Sequence, residues 1–571
     1  MPEYLSPGVY VEEIDRGPKP IEGVGTAMPV FVGFSEKAEL TEQVDGETIT
    51  TDVLGKAQLV TNWTQYVERF GGIIEGAYMP HSVYGYFMNG GSRCYVLSVK
   101  SIPRAQAGLL GSDGRPQLQV KAKQAGFDGL RLRVIVDTPT SPSSSTSTPP
   151  KKTASTKTDD KTDEKSEDKT DDKQSASASS STPSSSNGAD KSFTLTVERQ
   201  GVTGAWQTKE VLRDISLVEV ETDDKKEIRV VYPNNKTSQW IDLVVPEKAS
   251  LTKLWPTSQE QTLSIEPKMI EPASYTDFQG DVLERTGIEG LEALDDVTMV
   301  CVPDLMTPMP NQKLDLDMVK AVQALIIAHC ERTGDRVAIL DAPPNLNPQK
   351  IKNWRMDIAG FDSSYAALYY PWIQVMDPIK NRPILIPPSG HMAGIWARND
   401  NTRGVHKAPA NEVVAGATGL AYNVTKGEQD VLNPNAINCI RAFPGMGIRV
   451  WGARTVSSNP SWRYINVRRL FNFVEKSIER GTQWVVFEPN EPMLWARIRR
   501  DVTAFLTTVW SSGALFGNTP NEAFYVKCDE ELNPPRVRDQ GQLIIEIGMA
   551  PVKPAEFVIF RISQWSPGDE I

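Results

Sequence analysis

The stretch VTMVCVP (Val297–Pro303), then a helical pattern over Leu316–Arg332, then RVAILDAP (Arg336–Pro343), decides the fold. Both short runs are apolar throughout, the signature of strands buried on two faces, and an amphipathic helix separates them. Strand, helix and strand in that order predict a parallel sheet with helical crossovers. The pattern continues downstream with a helix over Pro348–Ile358 and the strand YAALYY (Tyr365–Tyr370). Upstream, PVFVGF (Pro29–Phe34) and RCYVLSV (Arg93–Val99), with helix-like Trp63–Phe70 and His81–Met88 between them, follow the same grammar and are assigned to the same sheet. The reading is an α/β domain assembled from residues 26–100 and 271–450.

Between those halves, Leu118–Val136 and Phe193–Val245 are rich in alternating β-formers (LQVKA, LRLRVIV, FTLTVE, EIRVVY), which predicts an inserted mostly-β domain over 101–270. Residues 138–192 contain no Val, Ile, Leu, Met, Phe, Trp, Tyr or Cys. Such a segment cannot offset its own ordering entropy and is expected to be a disordered linker. Within it, Asp159–Gln174 repeats two acids, a lysine and a small polar residue, the composition of a solvated spacer. Closing so long a loop costs only about 2–3 kcal/mol more than a short turn, so the strands on either side can still pair.

Beyond residue 450 two amphipathic helices are expected. The first has Asn466 as N-cap, carries Val467, Leu470, Phe471, Val474 and Ile478 on one face, and ends at Gly481. The second takes Asn490 as cap and Pro492 in its first turn, runs through Leu494, Trp495, Ile498, Val502, Phe505, Leu506 and Val509, and stops before Gly513. The two ends of the chain are unusual. SPGVYVEEI (Ser6–Ile14) has strand composition but no local partner, and LIIEIGM (Leu543–Met549) and EFVIFRI (Glu556–Ile562) flank the proline-spaced APVKPA. Isolated strands are not stable in water, so each must add to a sheet of its own chain or of a neighbour. The division that follows is an N-terminal β arm (1–25), a C-terminal domain (451–542) and a C-terminal β arm (543–571).

Composition narrows the functional classes. Lys plus Arg number 61 against 72 for Asp plus Glu, a net charge of −11, the wrong sign for a protein that wraps nucleic acid. Five scattered cysteines encode neither a disulfide framework nor a zinc knuckle. With no run of about 18 apolar residues, no export signal, span or direct membrane insertion is expected. Nucleotide-binding loops, Gly-x-Ser-x-Gly and His-Glu-x-x-His are absent. His391 in SGHMAG resembles the base segment of subtilisin-like proteases, yet the segment that would supply the nucleophile, GATGLA (Gly416–Ala421), offers Thr418 and no serine. Asp304 and Asp341 follow strands and could share a cation, but acids beside Pro303 and Pro343 fit helix caps better. His329 and Cys330 fall within a helix and read as ordinary helix residues. No catalytic residue, metal or cofactor is expected.

Three segments in order carry a family resemblance. WGARTVSSNPSWRYINVRRLFNFVEKSIERGTQWVVFEPNEPMLWARIRRDVTAFLTTVWSSGALFGNTPNEAFYVKCD (Trp451–Asp529), continuing through GQLIIEIGMAPVKPAEFVIFRISQ, resembles the C-terminal domain of contractile tail sheath proteins of phage tails and phage-like injection systems. YLSPGVYVEEI followed by PVFVGF, and PPSGHMAGIWARNDNTRGVHKAPAN (Pro387–Asn411), look like the same family. The resemblance spans roughly 26–100 and 271–571 plus the amino arm, and leaves the β insertion uncovered. It implies a subtilisin-like α/β domain without protease activity, an outward-pointing insertion, and a C-terminal domain facing an inner tube.

It further implies polymerisation with other copies as six-fold stacked rings or a helical array, by strands exchanged from both termini. The residues concerned are Pro7, Gly8, Val9, Tyr10, Val11 and Ile14 in the amino arm, and Leu543, Ile544, Ile545, Ile547, Phe557, Val558, Ile559 and Phe560 in the carboxyl arm. Implied partners are the inner tube protein, the baseplate and a tail terminator or cap. A metastable long sheath would shorten and drive the tube through a target membrane without consuming nucleotide. The implied location is the cytoplasm of the producing bacterium during assembly, then a virion or phage-like particle released by lysis. Arg497, Arg499 and Arg500 lie off the apolar stripe of the second helix and are read either as contacts to acidic groups on the tube or as solvated arginines. The rival readings are a hydrolase on the same fold, tested by active-site labelling, and an assembly scaffold that does not switch.

Overall fold

The computed structural model describes residues 21–44, 47–138, 191–201, 203–222, 225–246, 249–310 and 313–559. The amino-arm residues Pro7–Ile14, Phe560 and nearly all of the linker lie outside these. The chain divides into two compact units: Met1–Arg104, Gln124–Asp128 and Ile265–Ile571 form one, and Ala105–Lys123 with Gly129–Ser264 the other.

The larger unit is organised by a nine-stranded mixed sheet. Its parallel strands are β1 (Pro29–Ser35), β2 (Cys94–Ser101), β3 (Met299–Cys301), β4 (Val337–Asp341), β5 (Ala366–Tyr370) and β6 (Ile437–Phe443), in the spatial order β2, β1, β3, β4, β5, β6. Short antiparallel strands close both edges: Gln58–Val60 on β2, and Gly447–Val450 followed by Glu412–Val413 on β6. Every residue of β1, β3, β4 and β5 is buried, the condition that the apolar runs anticipate for strands covered on both faces. Helices α1 (Met79–Met88), α2 (Leu316–Thr333) and α3 (Ser389–Arg403) are the principal covers.

Helices α1 and α3 approach unusually closely, and SGHMAG is the reason. A Cβ at Gly390 would sit 2.4 Å from the Ser82 backbone, and one at Gly394 would sit 2.6 Å from the Tyr86 carbonyl oxygen. The His391 ring in turn fills the space over Gly85. His391 is 2% exposed, and burial, with His81 nearby, lowers its pKa to about 3, so it packs as a neutral ring. Thr418 donates its hydroxyl to the Gln374 carbonyl in a separate three-stranded sheet.

The carboxyl ends of the parallel strands, where α/β proteins commonly hold ligands, are filled by the protein's own carboxylates. Asp304, just past β3, accepts hydrogen bonds from the Phe34, Tyr78 and Met79 backbone and from Thr307 Oγ1. It thereby caps α1. Asp341, at the end of β4, accepts from Ser389 N at 2.8 Å and Ser389 Oγ at 2.6 Å and caps α3. The capping reading of both acids is correct, except that each serves a distant helix rather than the next one. Side-chain oxygens at helix N-termini satisfy N–H groups that the helix itself leaves without partners.

The smaller unit is antiparallel throughout. Its five-stranded sheet runs Lys225–Val231, Trp206–Thr222, Phe193–Gln200, Leu132–Asp137, Gln259–Thr262. Leu132–Asp137 pairs with Phe193–Gln200, Leu132 opposite Arg199 and Asp137 opposite Thr194, so the two strands that flank the linker close on each other. A three-stranded sheet of Ile241–Val244, Pro116–Ala125 and Arg104–Leu110 completes it.

Burial pushes the Asp341 carboxyl up to about 7 and Asp304 up to about 6, against the hydrogen bonds that pull each down. A carboxyl whose folded pKa exceeds its unfolded value of about 4 binds its proton more tightly when folded. Its stabilising contribution is therefore complete below pH ~4 and drains away as pH rises through 6 to 7. Asp341→Asn should flatten the fall in stability across that window relative to the wild type, read as the urea midpoint measured at several pH values.

Candidate assembly interface

The carboxyl-terminal part of the larger unit is built on helices α4 (Ile465–Gly481) and α5 (Pro492–Ser511). The buried face of α5 is Leu494, Trp495, Ile498, Val502, Phe505, Leu506 and Val509, the stripe that the sequence pattern gives. Its core is shared with Leu470 and Val474 of α4, while Ile465 at the start of α4 belongs to the core of the nine-stranded sheet. One helix thus serves two cores.

Neither asparagine expected as an N-cap acts as one. Tyr464 and Glu491 occupy the cap positions, and neither makes a side-chain cap bond. Asn466 lies inside α4, 1% exposed, and donates to the carbonyls of His406 and Val552. Asn490 accepts from Trp495 Nε1 at 2.7 Å and donates to the Gln542 carbonyl. Both side chains stitch distant segments, a use that local sequence does not reveal.

A buried ion pair joins α3 to α4. Arg469 reaches Asp400 through two bonds of 2.9 and 2.5 Å, with side chains 4% and 3% exposed, and its guanidinium lies 4.8 Å over the Trp396 ring. The same two residues hold the root of the amino arm: Arg469 donates to the Thr26 carbonyl and Thr26 Oγ1 donates to Asp400. Residues 21–26 then lie along α4. Ile21 is buried over Gly481, Gly23 lies against Phe473, and Val24 N donates to Ser477 Oγ.

A two-stranded antiparallel sheet covers α5: β7 (Phe524–Lys527) pairs with β8 (Glu546–Met549), Phe524 opposite Met549 and Val526 opposite Ile547. These four face the helical core, as do Leu543 and Ile545. On the other face the Tyr525 ring covers Gly548 and its hydroxyl donates to Glu546 at 2.8 Å. Ile544 is held by one side chain: its N–H donates to Asn533 Oδ1, and its carbonyl accepts from Asn533 Nδ2, at 2.7 and 2.9 Å. Residues 546–549 thus add to a sheet of their own chain, the first of the two options open to this segment, and not to a neighbour's as the resemblance implies. Leu543, Ile544, Ile545 and Ile547 are structural residues of their own domain, because β7, unrecognised as a strand, pairs with β8 and the helical core lies beneath. Among the described residues no third strand joins this sheet.

Past Met549 the chain is stitched by Phe516 N to the Ala550 carbonyl and by Val552 N to the Ala514 carbonyl. Among the described residues Glu556 is the last with a side-chain anchor, and Phe557, Val558 and Ile559 are then 73%, 68% and 79% exposed. Three consecutive exposed apolar residues have the composition of a strand that can add to another sheet.

The three arginines on α5 do not form one cluster. Arg497 stacks 4.5 Å over Trp484, and Arg500 donates to its neighbour Asp501 at 3.0 Å. At about 100° per residue, Arg497 and Arg500 share a face while Arg499 turns away from both. Arg499 lies near Cys528, whose thiol is raised by burial and only partly lowered by this arginine. All three are exposed. Among the described residues no group of three or more His, Cys, Asp or Glu could hold a metal, and no helix is long and apolar enough to cross a membrane.

Comparison with known proteins places this arrangement among relatives. Residues 284–456 match the phage tail sheath protein central domain, and residues 457–564 match the phage tail sheath C-terminal domain. The tail sheath protein of Vibrio phage KVP40 is 27% identical over 207 residues, 36% of this chain but only 30% of the relative's length. The helical sheath of the anti-feeding prophage in its contracted state superposes with a TM-score of 0.53 at 21% identity, covering 98% of this chain and 99% of that one. The sheath complex of the PVC extracellular contractile injection system, also contracted, gives a TM-score of 0.52 at 22% identity, covering 99% of each chain. At these identities the likeness is one of fold.

Proposed function

Through residues 284–564 the chain belongs to the phage tail sheath protein family, and on that premise we propose that it is the sheath subunit of a contractile injection machine. Copies stack as rings or a helical array around an inner tube protein, bounded by a baseplate and a terminal cap. The assembly is metastable when long. It shortens and widens as subunits rotate against one another, and the tube is driven through a target membrane. The work comes from the difference in contact free energy between two packings, multiplied over many copies, so the subunit needs no catalytic step. Assembly takes place in the cytoplasm of the producing bacterium, with release by lysis.

The observation that carries this reading is the sheet β7–β8. Two strands alone are marginally stable, and their outer edges offer main-chain donors and acceptors to strands from other copies. The donors in this account are Pro7, Gly8, Val9, Tyr10, Val11 and Ile14 of one neighbour and Phe557, Val558, Ile559 and Phe560 of another. Leu543–Ile547 change role from donor to host. Chain connections between these strands and the domains would let the domains rotate while the strands stay paired.

A hydrolase is the weaker reading, because Asp304, Asp341 and His391 are each committed to packing or capping. For the tube we propose that Arg497 and Arg500, with Arg499 to one side, meet acidic groups through weak, salt-screened contacts suited to release. Deleting residues 1–20 should abolish polymerisation and leave a folded, soluble monomer, as judged by electron microscopy and circular dichroism; normal sheaths from that chain would refute donation by the amino arm. Reversing the charge of all three arginines should weaken tube-dependent assembly most at low salt, and unchanged assembly would remove the tube contact from the account.

A further inference from the structure

Glu556 is held by more groups than an ordinary tail residue needs. Arg454 grips it in a bidentate fork, Nε to Oε1 at 2.8 Å and Nη2 to Oε2 at 2.6 Å. Asn433 Nδ2 donates to Oε1 at 2.6 Å and Tyr464 Oη to Oε2 at 3.0 Å. Burial alone would raise this carboxyl's pKa, yet the bonds from Arg454, Asn433 and Tyr464 outweigh it and hold the group below its usual range. It is therefore charged at neutral pH.

The grip is anchored in turn. The Arg454 side chain is only 9% exposed, and its main chain is locked to β6: its N–H donates to Asn438 Oδ1 and its carbonyl accepts from Asn438 Nδ2, both at 2.7 Å. Asn438 is wholly buried. Behind Glu556 the ties of the chain end at Val552, and ahead of it Phe557–Ile559 are exposed. Among the described residues the last tie therefore falls at one side chain, whose partners lead into the parallel sheet and not into the β7–β8 sheet.

We propose that Glu556 is the fixed post of the carboxyl-terminal linkage, a positioning residue through which pull on residues 557 onward passes by way of Arg454 and Asn438 into β6. This rests on the reading of the terminal segments as links between copies of this chain. The post fixes where the link departs and keeps tension off the β7–β8 sheet, whose few main-chain bonds would otherwise peel one at a time. A bidentate charged pair is stronger than a single neutral hydrogen bond and fixed in geometry, which suits a point under load.

The test uses the full chain and Glu556→Gln, with Arg454→Met as a second variant and the exchange Arg454→Glu with Glu556→Arg as rescue. In the monomer, chymotryptic cleavage after Phe557 should become about tenfold faster in each single variant, the scale of losing charge-assisted hydrogen bonds, and slow again in the exchange. Assembled sheaths of Glu556→Gln should release subunits at lower urea than the wild type. Cleavage at the wild-type rate in both single variants overturns the post by itself. A wild-type chain that forms no sheaths, or a chain cut back to Glu556 that forms normal ones, refutes the linkage reading and the role of Glu556 with it.

Discussion

The larger unit turns on the buried pair of Arg469 and Asp400. An ion pair this enclosed is not a large source of net stability, but removing one partner strands the other charge and costs about 3–5 kcal/mol. Its importance is positional. Asp400 sits on α3, which packs on the nine-stranded sheet; Arg469 sits on α4, which packs on α5; and both bind Thr26, where the amino arm begins. The sheet, the helical pair and the segment at Thr26 thus meet at one buried pair, beside the further links made by Ile465 and Asn466.

A rigid larger unit is what a contracting lattice requires. Cores repack poorly, so a large rearrangement must be borne by surfaces between copies and by the segments that connect them. The described ends of the chain are tied at defined places, Val24 to Ser477 of α4 and Glu556 to Arg454. The sheet β7–β8, with Tyr525 over Gly548 and Val526 opposite Ile547, is a platform that further strands can complete.

Much of the architecture was legible because it depends on periodicity. The fully buried strands β1, β3, β4 and β5 announced themselves as short apolar runs, and the stripe of α5 emerged residue for residue. What stayed hidden depends on partners far away in sequence. Asn466 and Asn490 look like caps, but their amides are taken by His406, Val552 and Gln542, and Asp304 and Asp341 cap helices that do not follow them. Phe524–Lys527 is too short to read as a strand until Glu546–Met549 lies beside it, and so Leu543–Ile547 looked orphaned. Glu556 carried no local signal at all, since its significance comes from Arg454, Asn433 and Tyr464 meeting around it.

The central claim is that β strands shared between copies hold the array together while rigid domains move. Electron cryomicroscopy of assembled particles, at a resolution that traces the backbone, measures this directly. The account predicts that every β7–β8 sheet is flanked by two further strands, one from residues 7–14 and one from residues 557–562, each traceable to a different neighbouring copy. A map in which those strands belong to the same copy, or in which the outer edges of β7 and β8 face solvent, would contradict it.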